Sequence, residues 1–269
     1  MGLLDGRVAL VTGSSQGIGR GVALAYAAEG ASVVVTGRDV ERCSAVAAEI
    51  AGSGGTVLAH PADVTSDAET RALVEAAHRR FGAIDILVNN AGVVGALGRF
   101  GDITLDDWQE VLDVNVLAIV RCIRLVLPWM LQRGFGRIIS VGSNAARSDE
   151  FAAHHFEHVA YGASKAAVVR ITECLAAETK GSGVTVNCVG ATADTLLSNT
   201  ALRAEASIRG LPPPPPLAEI PSDRLTDPGE NASVFVFLAS SMADHVTGAY
   251  LEANAVPTHL LVRQAVTVA

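Results

Sequence analysis

The pattern that most restricts this chain is a repeated change of period. Short β-branched runs, nearly continuous in apolar residues, alternate with longer stretches of helical spacing. The runs are 8–13 (VALVTG), 32–37 (SVVVTG), 56–60 (TVLAH), 85–92 (DILVNNAG), 137–143 (RIISVGS), 184–190 (VTVNCVG) and 249–253 (AYLEA). Between them the spacing predicts helices over 17–29, 40–51, 66–81, 106–133, 160–180 and 228–239. A strand that is apolar at successive positions has both faces covered, as parallel strands do. Strict alternation with helices then gives βαβ units with right-handed crossovers. The expected fold class is α/β, a Rossmann-like doubly wound parallel sheet of about seven strands with helices on both faces. With 269 residues, 49% of them hydrophobic, the chain suits one large domain over 1–269.

Two segments break the rhythm. Residues 144–159 separate the fifth strand from its helix, and residues 191–227 follow the sixth and contain Pro212–Pro216. A proline run cannot form a helix interior. Both segments leave carboxyl ends of strands, where open sheets bind ligands, so they are expected to be pocket walls, with 191–227 as a substrate lid. Residues 256–269 form an apolar tail, read as a subunit contact.

The net charge of −8 argues against a nucleic-acid surface, which needs phosphate-neutralising cations. Cys43, Cys122, Cys174 and Cys188 show no metal-clip spacing and read as thiols in a reducing compartment. The N-terminus lacks the layout of a signal peptide. The apolar stretch from Val111 to Leu131 carries Asp113, Asn115, Arg121 and Arg124, which argues against a membrane span. A soluble, cytoplasmic protein is expected. His154, His155 and His158 include a metal-compatible spacing, but pocket-wall or solvated histidines are the preferred reading and no metal is expected.

The first strand runs into a glycine-rich loop, Gly13-Ser14-Ser15-Gln16-Gly17-Ile18-Gly19, and then a helix. Glycines there permit a tight turn and close approach of a pyrophosphate, with the helix N-terminus facing the phosphates. A dinucleotide site is expected at this turn. Further on, YGASK places Tyr161 and Lys165 on one helical face. The ammonium is expected to lower the tyrosine pKa toward working pH. The same helix carries Ala166, Ala167, Val168, Val169, Ile171, Leu175, Ala176 and Ala177, an apolar surface wide enough for both the sheet and a second subunit.

The spacing T-G-x-x-x-G-x-G, with NNAG at 89–92 and YGASK at 161–165, resembles the single-domain short-chain dehydrogenase/reductase family, from about residue 6 to residue 253. The stretch from RLTDP (224–228) to VFVFLASSMADHVTG (234–248) is similar to one the family carries before its last strand. The resemblance implies Tyr161 as general acid/base. Lys165 would tune it and hold the nicotinamide ribose, Ser143 would bind the substrate oxygen, and Asn115 would hold a water in a proton relay. It implies that Asp63 and Val64 flank the adenine and that Asn90, Ala91 and Gly92 line the ribose side.

Where the family's NAD enzymes carry an acid after strand two, this chain has Gly37, followed by Arg38. A missing carboxylate and a neighbouring guanidinium suit a 2′-phosphate, so NADP is expected over NAD. The chain also departs from the family. Ala191 and Thr192 replace the usual Pro-Gly pair, the C-terminal Val-Asp-Gly-Gly becomes Glu252-Ala253-Asn254-Ala255, and Ser143 lies farther than usual from Tyr161.

The expected function is an NADP(H)-dependent interconversion of a ketone and a secondary alcohol. The substrate would be apolar or polycyclic, and a homotetramer or homodimer follows from the resemblance. The alternatives are non-redox chemistry at the same site (isomerisation, elimination or cyclisation) and a non-catalytic nucleotide-binding protein.

Overall fold

A computed structural model describes residues 2–146, 156–191, 196–210 and 229–253. The runs expected as strands form β1 (Val8–Val11), β2 (Ser32–Val35), β3 (Val57–Ala59), β4 (Ile86–Asn89), β5 (Gly136–Gly142), β6 (Val184–Gly190) and β7 (Tyr250–Glu252). They form one sheet in the order β3-β2-β1-β4-β5-β6-β7, with every pairing parallel. The α/β doubly wound fold is as expected.

Successive residues of each run feed opposite cores. Ala9, Val11, Ile86, Val88, Ile139 and Val141 pack on one face of the sheet. Leu10, Leu87 and Ile138 pack on the other. This is the physical content of a continuous apolar run, since the pleat sends alternate side chains to opposite sides and both are dry. The first face is covered by α1 (Gly17–Ala28), α2 (Val40–Gly52) and α8 (Ala232–Ala239), with Tyr26 and Phe235 fully buried between helix and sheet. The second is covered by α3 (Asp67–Phe81), α5 (Ala118–Arg133) and α6 (Val159–Glu178).

Local signals set the helix ends. Asp39 caps α2 by accepting from the Arg42 amide at 3.0 Å, and Ser66 caps α3 through the Glu69 amide at 3.3 Å. Thr104 and Asp107 form a capping box at the start of α4 (Leu105–Leu112).

The helix expected over 106–133 runs unbroken from Leu105 to Arg133 but changes its winding partway. It is α4, then a π turn at Asp113–Leu117, then α5. Leu105–Arg133 is long and apolar enough to cross a membrane by length and composition. In this fold Ile119, Cys122, Ile123, Val126 and Met130 of α5 pack on the sheet as part of the second core.

One further helix, α7 (Leu196–Ile208), lies in the segment expected to be a lid. Pro212–Pro216, His154, His155, Thr192 and the tail 256–269 fall outside the described residues.

Candidate active site

The strand order reverses between β1 and β4, and the loops leaving these two strands meet there. Asn90 joins them. Its Nδ2 donates to the Thr12 carbonyl at 2.8 Å and the Gly13 carbonyl at 3.0 Å. The Thr12 hydroxyl accepts from the amides of Asn90 at 2.9 Å and Ala91 at 3.1 Å.

Two glycines make this junction possible. Gly13 has φ 63°, in the left-handed region. At Gly19 a Cβ would lie 2.3 Å from Asn90 Nδ2 and 2.5 Å from the Gly13 carbonyl oxygen, so only glycine fits. The fully buried Ser14 locks the loop to β2, donating to the Val11 carbonyl at 2.7 Å and accepting from the Thr36 amide at 3.0 Å. Ile18 packs against the core, while Gln16 is exposed and accepts from Arg42. A Cβ on Gly37 would stand 2.8 Å from Ser15 Oγ. No side chain caps the start of α1 at Gly17, and no acid occupies its first turn. A helix N-terminus left in this state, beside a loop whose glycines exclude side chains, fits a pyrophosphate.

Past β2, Arg38 is exposed. Asp39 is engaged in capping α2 and pairs with the Arg42 guanidinium at 3.1 Å. Asp63 accepts from the Thr65 amide at 2.9 Å and the Thr65 hydroxyl at 2.7 Å. The backbone hydrogen bond leads in holding its carboxyl below the ordinary value, and the guanidiniums of Arg38 and Arg121 act in the same direction. Val64 beside it is buried, and its carbonyl accepts from Thr70 at 3.2 Å.

Ser143, Tyr161 and Lys165 gather at the carboxyl ends of β4 and β5. Ser143 follows β5 directly and is 7% exposed; its hydroxyl donates to Asn144 Oδ1 at 3.2 Å and accepts from the Ala145 amide at 3.2 Å. Lys165 is 4% exposed. Its Nζ donates to the Val141 carbonyl at 2.8 Å and lies 5.6 Å from the centroid of the Tyr161 ring.

This geometry corrects one expectation. Burial pushes the Tyr161 phenol above its ordinary value, with the Ser143 hydroxyl opposing it. Burial likewise pulls Lys165 down to about 8. Tyr161 and Lys165 do share a helical face, but the ammonium is aimed at a backbone carbonyl. Desolvation disfavours charge on both groups.

Asn115 is fully buried in the π turn. Its Oδ1 accepts from the Val93 amide at 2.9 Å, and its Nδ2 donates to the Val93 carbonyl at 2.8 Å and to Ser164 Oγ at 3.0 Å. The Ser164 hydroxyl donates to the Tyr161 carbonyl at 2.7 Å. A Cβ on Gly92 would stand 3.3 Å from Asn115 Oδ1 and 3.7 Å from Lys165 Nζ, so the backbone of that loop lies beside both. A single-turn π bulge at such a place is a common way to aim one side chain. Ala191, where the family has proline, stays at the end of β6 packed against the core.

Beyond Gly92 lies a cavity of about 530 Å³. Val93, Val94, Gly95, Ala96 and Leu97 form one wall, and Leu197, Thr200, Ala201, Ala204, Ser207 and Ile208 of α7 form the other. Among the described residues, no charged side chain lines it. Sequence reasoning took 191–227 as a pocket wall but placed no helix in it, and it did not single out Val93–Leu97. The signal for α7 was present, since Leu197, Ala201, Ala204 and Ile208 recur at helical spacing, but the proline run dominated the reading of that segment. His158 lies away from this cavity lining, with its Nε2 3.4 Å from Glu205.

Comparison with known proteins agrees with this architecture. A family model described as short chain dehydrogenase matches residues 7–205. The D-threitol dehydrogenase of Mycolicibacterium smegmatis is 38% identical over 249 residues, 92% of this chain and 91% of that protein. The 3-oxoacyl-[acyl-carrier-protein] reductase of Vibrio harveyi is 37% identical over 263 residues, covering 93% and 97% of the two chains. Among solved structures, levodione reductase superposes with a TM-score of 0.83 at 26% identity, covering 93% of this chain and 96% of its own.

Proposed function

Since this chain belongs to the short-chain dehydrogenase/reductase family and is an oxidoreductase of that kind, we propose that it interconverts an uncharged, apolar ketone and its secondary alcohol with NADP(H). The observation that carries this reading is the set formed by half-buried Tyr161 with buried Ser143 and Lys165, beside the Gly92 loop that leads into a cavity with no charged lining among the described residues. A bound nicotinamide dinucleotide would supply or accept the hydride.

The chain's own residues do the rest. Tyr161, kept protonated by burial, donates its phenolic proton to the carbonyl oxygen during reduction and takes it back from the alcohol during oxidation. Ser143 holds the same oxygen through its hydroxyl. Lys165 holds the ribose, and its ammonium balances the phenolate charge left when Tyr161 gives up its proton. Asn115 fixes the Val93 backbone and, through Ser164, the start of the catalytic helix, and holds the relay water. Gly13 to Gly19, with Asn90, Ala91 and Gly92, cradle the dinucleotide, and Asp63 and Val64 flank its adenine.

The engagement of Asp39 as a helix cap supports NADP over NAD, because it leaves Arg38 without a competing carboxylate at the ribose position. Exposed Ala163, Ala166, Cys174 and Ala177 on the outer side of α6 support a homodimer or homotetramer.

The test is NADPH consumption with ketones that differ in charge and polarity: 2-decalone, cyclohexanone, dihydroxyacetone and acetoacetate. The bicyclic apolar ketone is expected to react fastest and the charged acetoacetate slowest. Tyr161→Phe should lower the rate by about 10²–10⁴-fold while NADPH affinity holds. Conversion of 2-decalone with no change in nicotinamide absorbance, or no dependence on Tyr161, would refute the reading.

A further inference from the structure

Just before the catalytic helix, the single turn Phe156–His158 carries a carboxylate that the mechanism does not use. Glu157 is fully buried, four positions ahead of Tyr161. Its partner comes from 52 residues away. Arg209, immediately after α7, donates from Nε to Glu157 Oε1 at 2.6 Å and from a terminal nitrogen to Oε2 at 2.9 Å. This is the bidentate fork that suits a carboxylate taken out of water. The hydrogen bond from Arg209 holds the Glu157 carboxyl below its ordinary value, so the pair is ionic at neutral pH.

The pair sits in a small network. Arg209 also reaches Glu205 at 3.0 Å, and Glu205 lies 3.4 Å from His158 Nε2. The chain of contacts runs from the turn before α6 to Arg209, on to Glu205 of α7, and back to the turn at His158. The His158 ring stands edge-on to Tyr161, with centroids 6.4 Å apart.

Glu157 holds the other cavity wall as well. Its backbone carbonyl accepts from the Gly98 amide at 3.1 Å, at the end of the Val93–Leu97 wall. One residue therefore bonds the position directly after each wall, Arg209 through its carboxylate and Gly98 through its carbonyl. Glu205 and Ala206 of α7 are buried. The Glu157–Arg209 and His158–Glu205 contacts tie α7 to the turn before α6.

From this juxtaposition we propose that Glu157 and Arg209 are positioning residues that fix both walls of the substrate cavity relative to Tyr161 and thereby set substrate affinity. The link to substrate rests on the proposed function above; the link to α7 does not. With the clamp intact, the cavity is formed before substrate arrives, and binding need not order the helix. With it broken, the substrate must order α7 as it binds, which raises KM and leaves the proton-transfer step alone.

Two measurements on the full-length protein test this. The first is amide hydrogen exchange over 196–210 and 156–165 in Arg209→Ala, Arg209→Lys and Glu157→Gln, without substrate. Exchange over 196–210 should rise by about tenfold or more in Arg209→Ala and Glu157→Gln, and less in Arg209→Lys, which keeps one hydrogen bond. The second is steady-state kinetics with 2-decalone and NADPH. KM for the ketone should rise by about tenfold in the same order, with kcat and NADPH affinity within about threefold of the parent.

Unchanged exchange over 196–210 in Arg209→Ala would overturn the clamp, as would a fall in kcat or NADPH affinity matching the rise in KM. Arg209 follows the end of α7 and is one-third exposed, so its variants keep the test valid should Glu157→Gln fail to fold. If the parent does not reduce 2-decalone, the proposed substrate class fails, and exchange alone decides the clamp.

Discussion

Lys165→Met should make the cofactor-free protein more stable at neutral pH while removing its activity. Lys165 is buried, and its ammonium has one hydrogen bond, to Val141, among the described contacts. Burial lowers its pKa from 10.5 to about 8. A difference of about 2.5 units, at 1.36 kcal/mol per unit, means that carrying the charge in the fold costs about 3 kcal/mol at pH 7. Methionine has similar length and no charge. It removes that cost and forfeits a hydrogen bond worth about 1.5–3 kcal/mol for a charged donor. The net gain at pH 7 is therefore about 0–2 kcal/mol.

The pH dependence discriminates more sharply than the net value. The folded pKa lies below the unfolded one, so between about 8 and 10.5 the unfolded chain holds a proton that the folded chain has lost. Wild-type stability must rise with pH across that window. The advantage of Lys165→Met should shrink by about 2.5 kcal/mol between pH 7 and pH 10. Urea denaturation of both proteins without cofactor, at the two pH values, measures this directly. Ionisable groups distant from Lys165 are common to both proteins and cancel in the difference. An equal gap between the two proteins at pH 7 and pH 10 would refute the claim that the fold holds this charge at a cost.

Other expectations follow from the same geometry. Arg38→Ala should narrow the preference for NADPH over NADH by about 1–3 kcal/mol, as loss of a charged hydrogen bond does, and equal affinities in the parent would refute it. Gly19→Ala would place a methyl 2.3 Å from Asn90 Nδ2. It should cost about 1–3 kcal/mol of stability by overpacking and weaken dinucleotide binding measured by NADPH fluorescence.

The strands were readable because a run buried on both faces has no competing interpretation at that length. β6 matches its run residue for residue. β4 ends at Asn89, short of its run, because the Asn90 amide and side chain bond the first loop. The π turn was invisible in the spacing, since Val114, Val116 and Leu117 keep the stretch apolar whichever way the helix winds. The shared face of Tyr161 and Lys165 followed from helical geometry alone. The direction of their titration did not, because it depends on how much water each group loses and where the ammonium points. The tie between Glu157 and Arg209 spans 52 positions and leaves no local pattern. Their pairing is a property of the folded chain.

The π turn at Asp113–Leu117 also has a consequence for how this site can be lost. It holds one residue more than a plain helix needs, and one residue in a helix is a rotation of about 100°. Excising Val114 or Val116 would let the segment close into ordinary α-helix. The Asn115 carboxamide would swing away from Val93 and Ser164 although every remaining side chain kept its chemistry. Part of the instruction for this site is therefore written as a count. A series of single substitutions along 113–117 would pass over that instruction, while the loss of one codon would erase it.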